Sequence, residues 1–221
     1  MSLNAAETLV DAGTAAMLVN VGPILIAIFA GLFLAEGFPP RLVIGSGIAF
    51  GGTVVIGLAT SDGQAQADAP LGIALCLVAA AAYAAGVTLQ KPALARVTAL
   101  RVTWIACTVG FIATLPFAPT LLDELGDASA ASIGWLFYLG AFPTAVAFTT
   151  WAYALSRSTA GRLGSTTYLV PPVAIVMAWL ILREAPPALA IVGGLLCIGG
   201  VIVARSRGGL RLPLIRRTSG A

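Results

Sequence analysis

The chain has 221 residues, 59% apolar and only 10% charged, with a net charge of +3. A soluble domain carries roughly 25% charged residues, so a soluble globular fold is excluded. The absence of histidine removes imidazole metal sites and histidine acid–base chemistry.

Met1–Thr14 is polar and lacks the basic start and apolar stretch of a cleavable signal. A membrane-spanning helix needs about 20 apolar residues. Seven charge-free runs reach that length: Ala15–Ala35, Leu42–Thr60, Ala69–Gln90, Val102–Leu122, Ala128–Ser156, Leu163–Leu182 and Ala185–Ala204. They are apolar all round rather than alternating, which favours helices over barrel strands. The expected fold is all-α, a polytopic transmembrane bundle of about seven helices. Cys76, Cys107 and Cys197 each stand alone in such a run, without metal spacing, and read as small buried side chains.

Charge sets an orientation. Counting loops alternately back from the tail, eleven of the twelve Lys and Arg residues fall on one face: Arg41, Lys91, Arg96, Arg101, Arg157, Arg162, Arg205, Arg207, Arg211, Arg216 and Arg217. Only Arg183 falls on the other, with Glu7, Asp11, Asp62, Asp68, Asp123, Glu124, Asp127 and Glu184. The positive-inside rule makes the Arg-rich face cytoplasmic and places the C-terminus on the inner side of the plasma membrane. The tail's arginines read as a topology anchor or an anionic-lipid contact, not a nucleic-acid site.

Residues 3–57 repeat as residues 151–205 at a constant offset of 148, with 13 identities in 55 positions. Ala12-Gly13 falls on Ala160-Gly161, Pro23 on Pro171, Glu36 on Glu184, Gly45 on Gly193, and Gly51-Gly52 on Gly199-Gly200. Glu36 lies in a loop of one face and Glu184 in a loop of the other, so the copies run in opposite directions. An inverted repeat in a membrane protein is the sequence mark of many secondary transporters.

Each copy carries a Pro, twelve mostly apolar residues, a Glu, and then Gly at +9 and Gly-Gly at +15 and +16 from that Glu. This pattern, with the segments Asp11–Ala16, Thr159–Gly164 and Tyr83–Lys91, resembles the repeat of the EamA family in the drug/metabolite transporter superfamily. The resemblance implies two inverted five-helix units and export or exchange of small metabolites. On that reading residues 1–60 are the last part of a first repeat, 69–206 a complete second repeat of five helices, and 207–221 a basic cytoplasmic tail. The first repeat then lacks two helices and most of a third, and the chain looks N-terminally truncated.

Prolines inside spans are the first functional candidates. A helix-interior proline costs roughly 3 kcal/mol and frees a carbonyl, and in transporters such breaks line the substrate site. Pro23, Pro171 and Pro172 repeat and are the stronger candidates, with a solute site expected between Pro23 and Pro171; Pro143 is weaker. Polar and aromatic residues at membrane depth come next as cavity candidates: Asn20 and Tyr168, which are equivalent, with Tyr83, Trp104, Trp151 and Tyr153. Trp104 also reads as an interfacial anchor. Glu36, Glu184 and Lys91 mark span ends and are gating candidates, with solvation and snorkelling as the plainer readings. Gly47 and Gly51 form a small-residue pair for packing within a unit or in a dimer.

No catalytic group, metal site or cofactor is expected. No Asp or Glu lies deep in a span, so a proton relay has no support. The partners expected are a small-molecule substrate and lipid, with no nucleic acid, and homodimerisation would be one way to supply the missing helices. The leading reading is a secondary carrier working by alternating access. The alternatives are a non-transporting fragment that needs a partner, and a lipid-carrier flippase.

Overall fold

The computed structural model describes residues 2–10, 12–60, 69–183 and 185–206. Asp11, Asp62, Asp68, Glu184 and the tail arginines from Arg207 onward lie outside the described residues. The helices are α1 (Ser2–Glu7), α2 (Ala12–Val19), α3 (Gly22–Phe33), α4 (Pro40–Thr60), α5 (Ala69–Ala93), α6 (Ala99–Thr114), α7 (Ala118–Asp127), α8 (Ala130–Leu139), α9 (Phe148–Arg157), α10 (Ala160–Ser165), α11 (Val170–Leu182) and α12 (Ala188–Arg205). Among the described residues seven stretches are long and apolar enough to cross a membrane: Gly13–Phe33, Pro40–Thr60, Pro70–Ala93, Ala99–Leu122, Ala130–Arg157, Ala160–Ile181 and Ala188–Arg205. These match the seven apolar runs to within a few residues, because in lipid every backbone polar group needs an internal partner.

Among the described residues four spans are broken where proline removes a donor; in the fourth, a 3-10 turn over Leu115–Phe117 contains Pro116. In the first, α2 gives way to α3 around Asn20, and Pro23 occupies the second position of α3. The equivalent Pro171 occupies the second position of α11, after a 3-10 turn over Thr166–Leu169. Ser165, Thr166 and Thr167 each donate a side-chain hydroxyl to the carbonyl three residues back, at 2.9, 2.6 and 2.7 Å. Such back-bonding satisfies the backbone while tightening the turn. In the fifth span Pro143 sits in a π-helical stretch, Gly140–Ala147. The carbonyl of Leu139, which the missing Pro143 amide would have used, instead accepts the Thr144 hydroxyl at 3.0 Å.

The most extensive helix contact joins α4 to α12, the last helices of the two sequence copies. The backbones approach so closely that a Cβ on Gly45 would lie 2.5 Å from the Gly200 oxygen, and one on Gly52 would lie 2.5 Å from the Gly193 oxygen. One register number rises as the other falls, so the helices are antiparallel. Shifting each residue by 148 turns the Gly45–Gly200 contact into the Gly193–Gly52 contact. Ala49 and Cys197 are each other's equivalents, and the Cys197 thiol donates to the Ala49 carbonyl at 3.3 Å. A local two-fold axis therefore passes through this pair. The Gly47–Gly51 pair expected to pack faces away: a Cβ at either position meets nothing within 4 Å. The packing face is Gly45, Ala49 and Gly52, and it joins the two copies.

A second core gathers Ile26 and Ala30 of α3, Ala84 and Val87 of α5, Leu155 of α9 and Ala160 of α10, with Trp151 against it. By contrast, none of the most apolar window of Ala99–Leu122 or of Ala130–Arg157 is buried.

Candidate functional site

Two features on α5 and α9 bring the expected residues together. The first is at the Arg-rich end. Two residues past the end of α3, Ala35 takes a left-handed conformation, φ 54°, and the Glu36 amide donates back to the Ala30 carbonyl at 3.3 Å. That reversal turns Glu36 onto the start of α10. Its two carboxylate oxygens accept the Ala160 amide at 2.8 Å and the Gly161 amide at 3.1 Å. An anion on free amides at a helix start is favourable through hydrogen bonding and the helix dipole. The Thr159 hydroxyl takes the next amide, Arg162, at 3.4 Å. Lys91, at the end of α5, donates to the Leu155 carbonyl at 2.6 Å and also to the Ser158 carbonyl. The turn between α9 and α10 is thus held by a cation on its carbonyl side and an anion on its amide side. Lys91 donates to backbone carbonyls at the span end where it is placed.

The second feature is a cavity of about 540 Å³ between α5, α6 and α9. Tyr83, Gln90, Thr103, Phe148 and Trp151 line it among apolar residues. The Thr103 hydroxyl is buried and has no hydrogen-bond partner among the described residues, and such a group costs roughly 1–3 kcal/mol until something pairs with it. Among the described residues no charged side chain lines this cavity. Val87 and Trp151 belong both to its wall and to the core beneath the Glu36 contact.

Residues 1–58 and 70–206 match the EamA-like transporter family. The chain belongs to that family. It is similar to a probable terminal-alkyne amino-acid exporter of Streptantibioticus cattleyicolor, with 36% identity over 93% of this chain and 68% of that protein. It is 30% identical to the uncharacterized transporter YdfC of Bacillus subtilis, over 90% of this chain and 64% of that one. A probable amino-acid metabolite efflux pump of Escherichia coli is 24% identical, over 87% and 67%. The chain therefore spans about two thirds of the length of these relatives. A protein of known crystal structure shares the fold with TM-score 0.74 at 23% identity, over 92% of this chain and 70% of that one. This EamA-like chain is accordingly a multi-pass membrane protein of a small-solute transporter family.

The remaining sequence candidates are dispersed in this EamA-like bundle. Asn20 is half-buried and its side-chain amide donates to the Ala16 carbonyl at 2.7 Å, closing the end of α2. Pro23 is buried and Pro171 half-buried, and neither lines the cavity. Pro172 lines a groove of about 440 Å³ between α11 and α12 that is almost wholly apolar. Tyr168 is fully buried against Ala49 and Val201, and its hydroxyl has no partner among the described residues. Trp104 is 69% exposed and, with Thr103, edges a hollow between α6 and α9. Tyr153 is exposed and carries the Arg157 guanidinium over its ring at 5.1 Å. Glu184 lies outside the described residues, but Arg183 before it repeats the left-handed conformation of Ala35, with φ 56°. The sequence reading missed Gln90, Thr103 and Phe148 in the cavity wall. Gln90 carried a usable signal, as an amide in an apolar run beside Lys91; the threonine and the phenylalanine had none.

Proposed function

We propose that this chain is a secondary carrier that exports small organic solutes across the plasma membrane by alternating access of its two inverted copies. The observation that carries the reading is the antiparallel crossing of α4 and α12 about a local two-fold, since a pair of inverted units can present a shared site to either side by exchanging conformations. The solute rests in the cavity between α5, α6 and α9. Phe148 and Trp151 hold its apolar part, and Tyr83, Gln90 and the unpaired Thr103 hydroxyl meet its polar atoms. The names of two relatives point to amino acids or products derived from them. A cavity whose described lining carries no charged side chain suits those with an apolar side chain.

The Arg-rich end faces the cytoplasm by the positive-inside rule, with the C-terminus inside. Reporter fusions at the C-terminus test this: a fluorescent protein lights up and an exported phosphatase stays silent. The unburied faces of Ala99–Leu122 and Ala130–Arg157 meet lipid or, on a second reading, a second copy of the chain; the mass of the detergent-solubilised particle separates the two. Export is tested by expressing the chain in cells loaded with a panel of labelled apolar amino acids. Faster loss of at least one solute than in cells carrying Trp151→Ala supports the proposal, and identical loss of all of them removes it.

A further inference from the structure

We propose that Glu36 is a releasable latch between the two copies, presented with its keeper by Lys91, and that releasing it opens the Arg-rich end. The inference rests on the alternating-access reading above and assigns one contact to one step of it.

Glu36 belongs to the first copy, while Ala160 and Gly161, whose amides it holds at 2.8 and 3.1 Å, belong to the second. Lys91 and its acceptors Leu155 and Ser158 all belong to the second. Movement of one copy against the other therefore breaks the Glu36 bonds and leaves the Lys91 bonds intact. Lys91 keeps the end of α9 fixed to α5, so the two amides stay in place to receive the carboxylate again.

The chemistry suits repeated breaking. Glu36 is half-buried at a span end, so water can replace the amides when the contact opens, and no unpaired charge is left in hydrocarbon. A carboxylate buried at mid-membrane would be a staple rather than a latch. The backbone is committed to the closed position: Ala35 and Gly37 both have positive φ, 54° and 68°. A non-glycine residue seldom adopts that conformation, and its recurrence at the equivalent Arg183 marks it as built into the repeat. Directly beneath lie Ile26, Ala30, Leu155 and Ala160, all at most 1% exposed. Trp151 packs on this core and also walls the cavity, so opening the latch frees one side of the cavity.

The test reads access to that core. Ala30→Cys is introduced into a Cys107→Ala background, and a membrane-impermeant maleimide is applied from the face carrying Glu36. Cys76 and Cys197 are buried and serve as internal controls. With Glu36 intact, labelling of position 30 is slow. With Glu36→Ala it rises at least tenfold, and with Glu36→Gln, which keeps a neutral acceptor, it rises less. A second pair, Glu36→Cys with Thr159→Cys, is bridged by a short bismaleimide. Bridging lowers labelling below the starting level and stops export. Unchanged labelling in Glu36→Ala, in protein that still elutes as a single species, overturns the latch; so does full export by the bridged pair. Labelling that responds to Glu36 in a chain that moves no solute leaves the latch standing and removes the carrier reading. Export with labelling indifferent to Glu36 does the reverse.

Discussion

Replacing Gly200 by alanine tests the α4–α12 crossing more sharply than any change of polar residue. The new Cβ would press on the Ala49 nitrogen and sit 2.5 Å from the Gly45 oxygen and 2.7 Å from the Ala49 Cβ. The first two are backbone atoms and cannot rotate away. Ordinary contact begins at 3.4 Å, so the helices must part by about 1 Å, taken as the difference between 3.4 and 2.5 Å. Overpacking of this kind costs about 1–3 kcal/mol. For a chain of this size each kcal/mol moves the thermal midpoint by about 2–4 °C, so Gly200→Ala should lower it by about 2–12 °C, read as loss of the monodisperse peak after heating in detergent. Gly199→Ala is the control. Nothing lies within 4 Å of its Cβ, and replacing a compatible helical glycine stabilises by about 0.4–1 kcal/mol. The sign should therefore reverse between adjacent residues. The local two-fold adds a second demand: Gly52→Ala, equivalent to Gly200→Ala, should cost about as much, and Gly51→Ala should not. Equal midpoints for Gly200→Ala and Gly199→Ala would refute the close crossing.

Thr103→Val should raise the thermal midpoint, since it removes a buried unpaired hydroxyl at a gain of about 1 kcal/mol, while raising the half-saturating solute concentration for export. A variant that gains stability with unaltered export would separate Thr103 from the solute. Cys107, half-buried, should react with a membrane-permeant maleimide in native vesicles, while buried Cys76 and Cys197 react only after denaturation; mass spectrometry of the labelled peptides decides. Ala35→Gly should stabilise by about 1–2 kcal/mol by relieving the left-handed backbone, seen as a higher midpoint, and no gain would mean that the turn relaxes in solution.

Much of this was legible in the chain. The seven spans follow from apolar length, and the breaks at Pro23 and Pro171 from proline chemistry. The inverted relation follows from the 148-residue offset combined with the charge map. The helix face at the crossing was harder. Gly47 and Gly51 have the familiar spacing, but Gly45, Ala49 and Gly52 make the contact. The four glycines are equally small, so size alone cannot choose a face. The repeat held part of the answer, because Gly45 and Gly52 recur in the second copy and Gly47 is replaced there by Leu195. Glu36 stood out as a repeated acidic residue, whereas its partners are backbone amides and leave no side-chain signature. The trace they do leave is the repeated Ala-Gly pair, 12–13 and 160–161, whose small side chains let a carboxylate reach the backbone. Thr103 gave no sequence signal, because a threonine in a span ordinarily donates its hydroxyl back to the preceding turn.

The most direct test of the carrier reading is counterflow with the purified 221-residue chain in liposomes. Vesicles are loaded with an unlabelled apolar amino acid and diluted into a trace of the labelled one. An alternating-access carrier exchanges the two, so label accumulates transiently above its outside concentration, and bismaleimide bridging of the Glu36→Cys, Thr159→Cys double variant abolishes the overshoot. Label that only equilibrates, or fails to enter above protein-free vesicles across the whole amino-acid panel, would contradict alternating access by this chain.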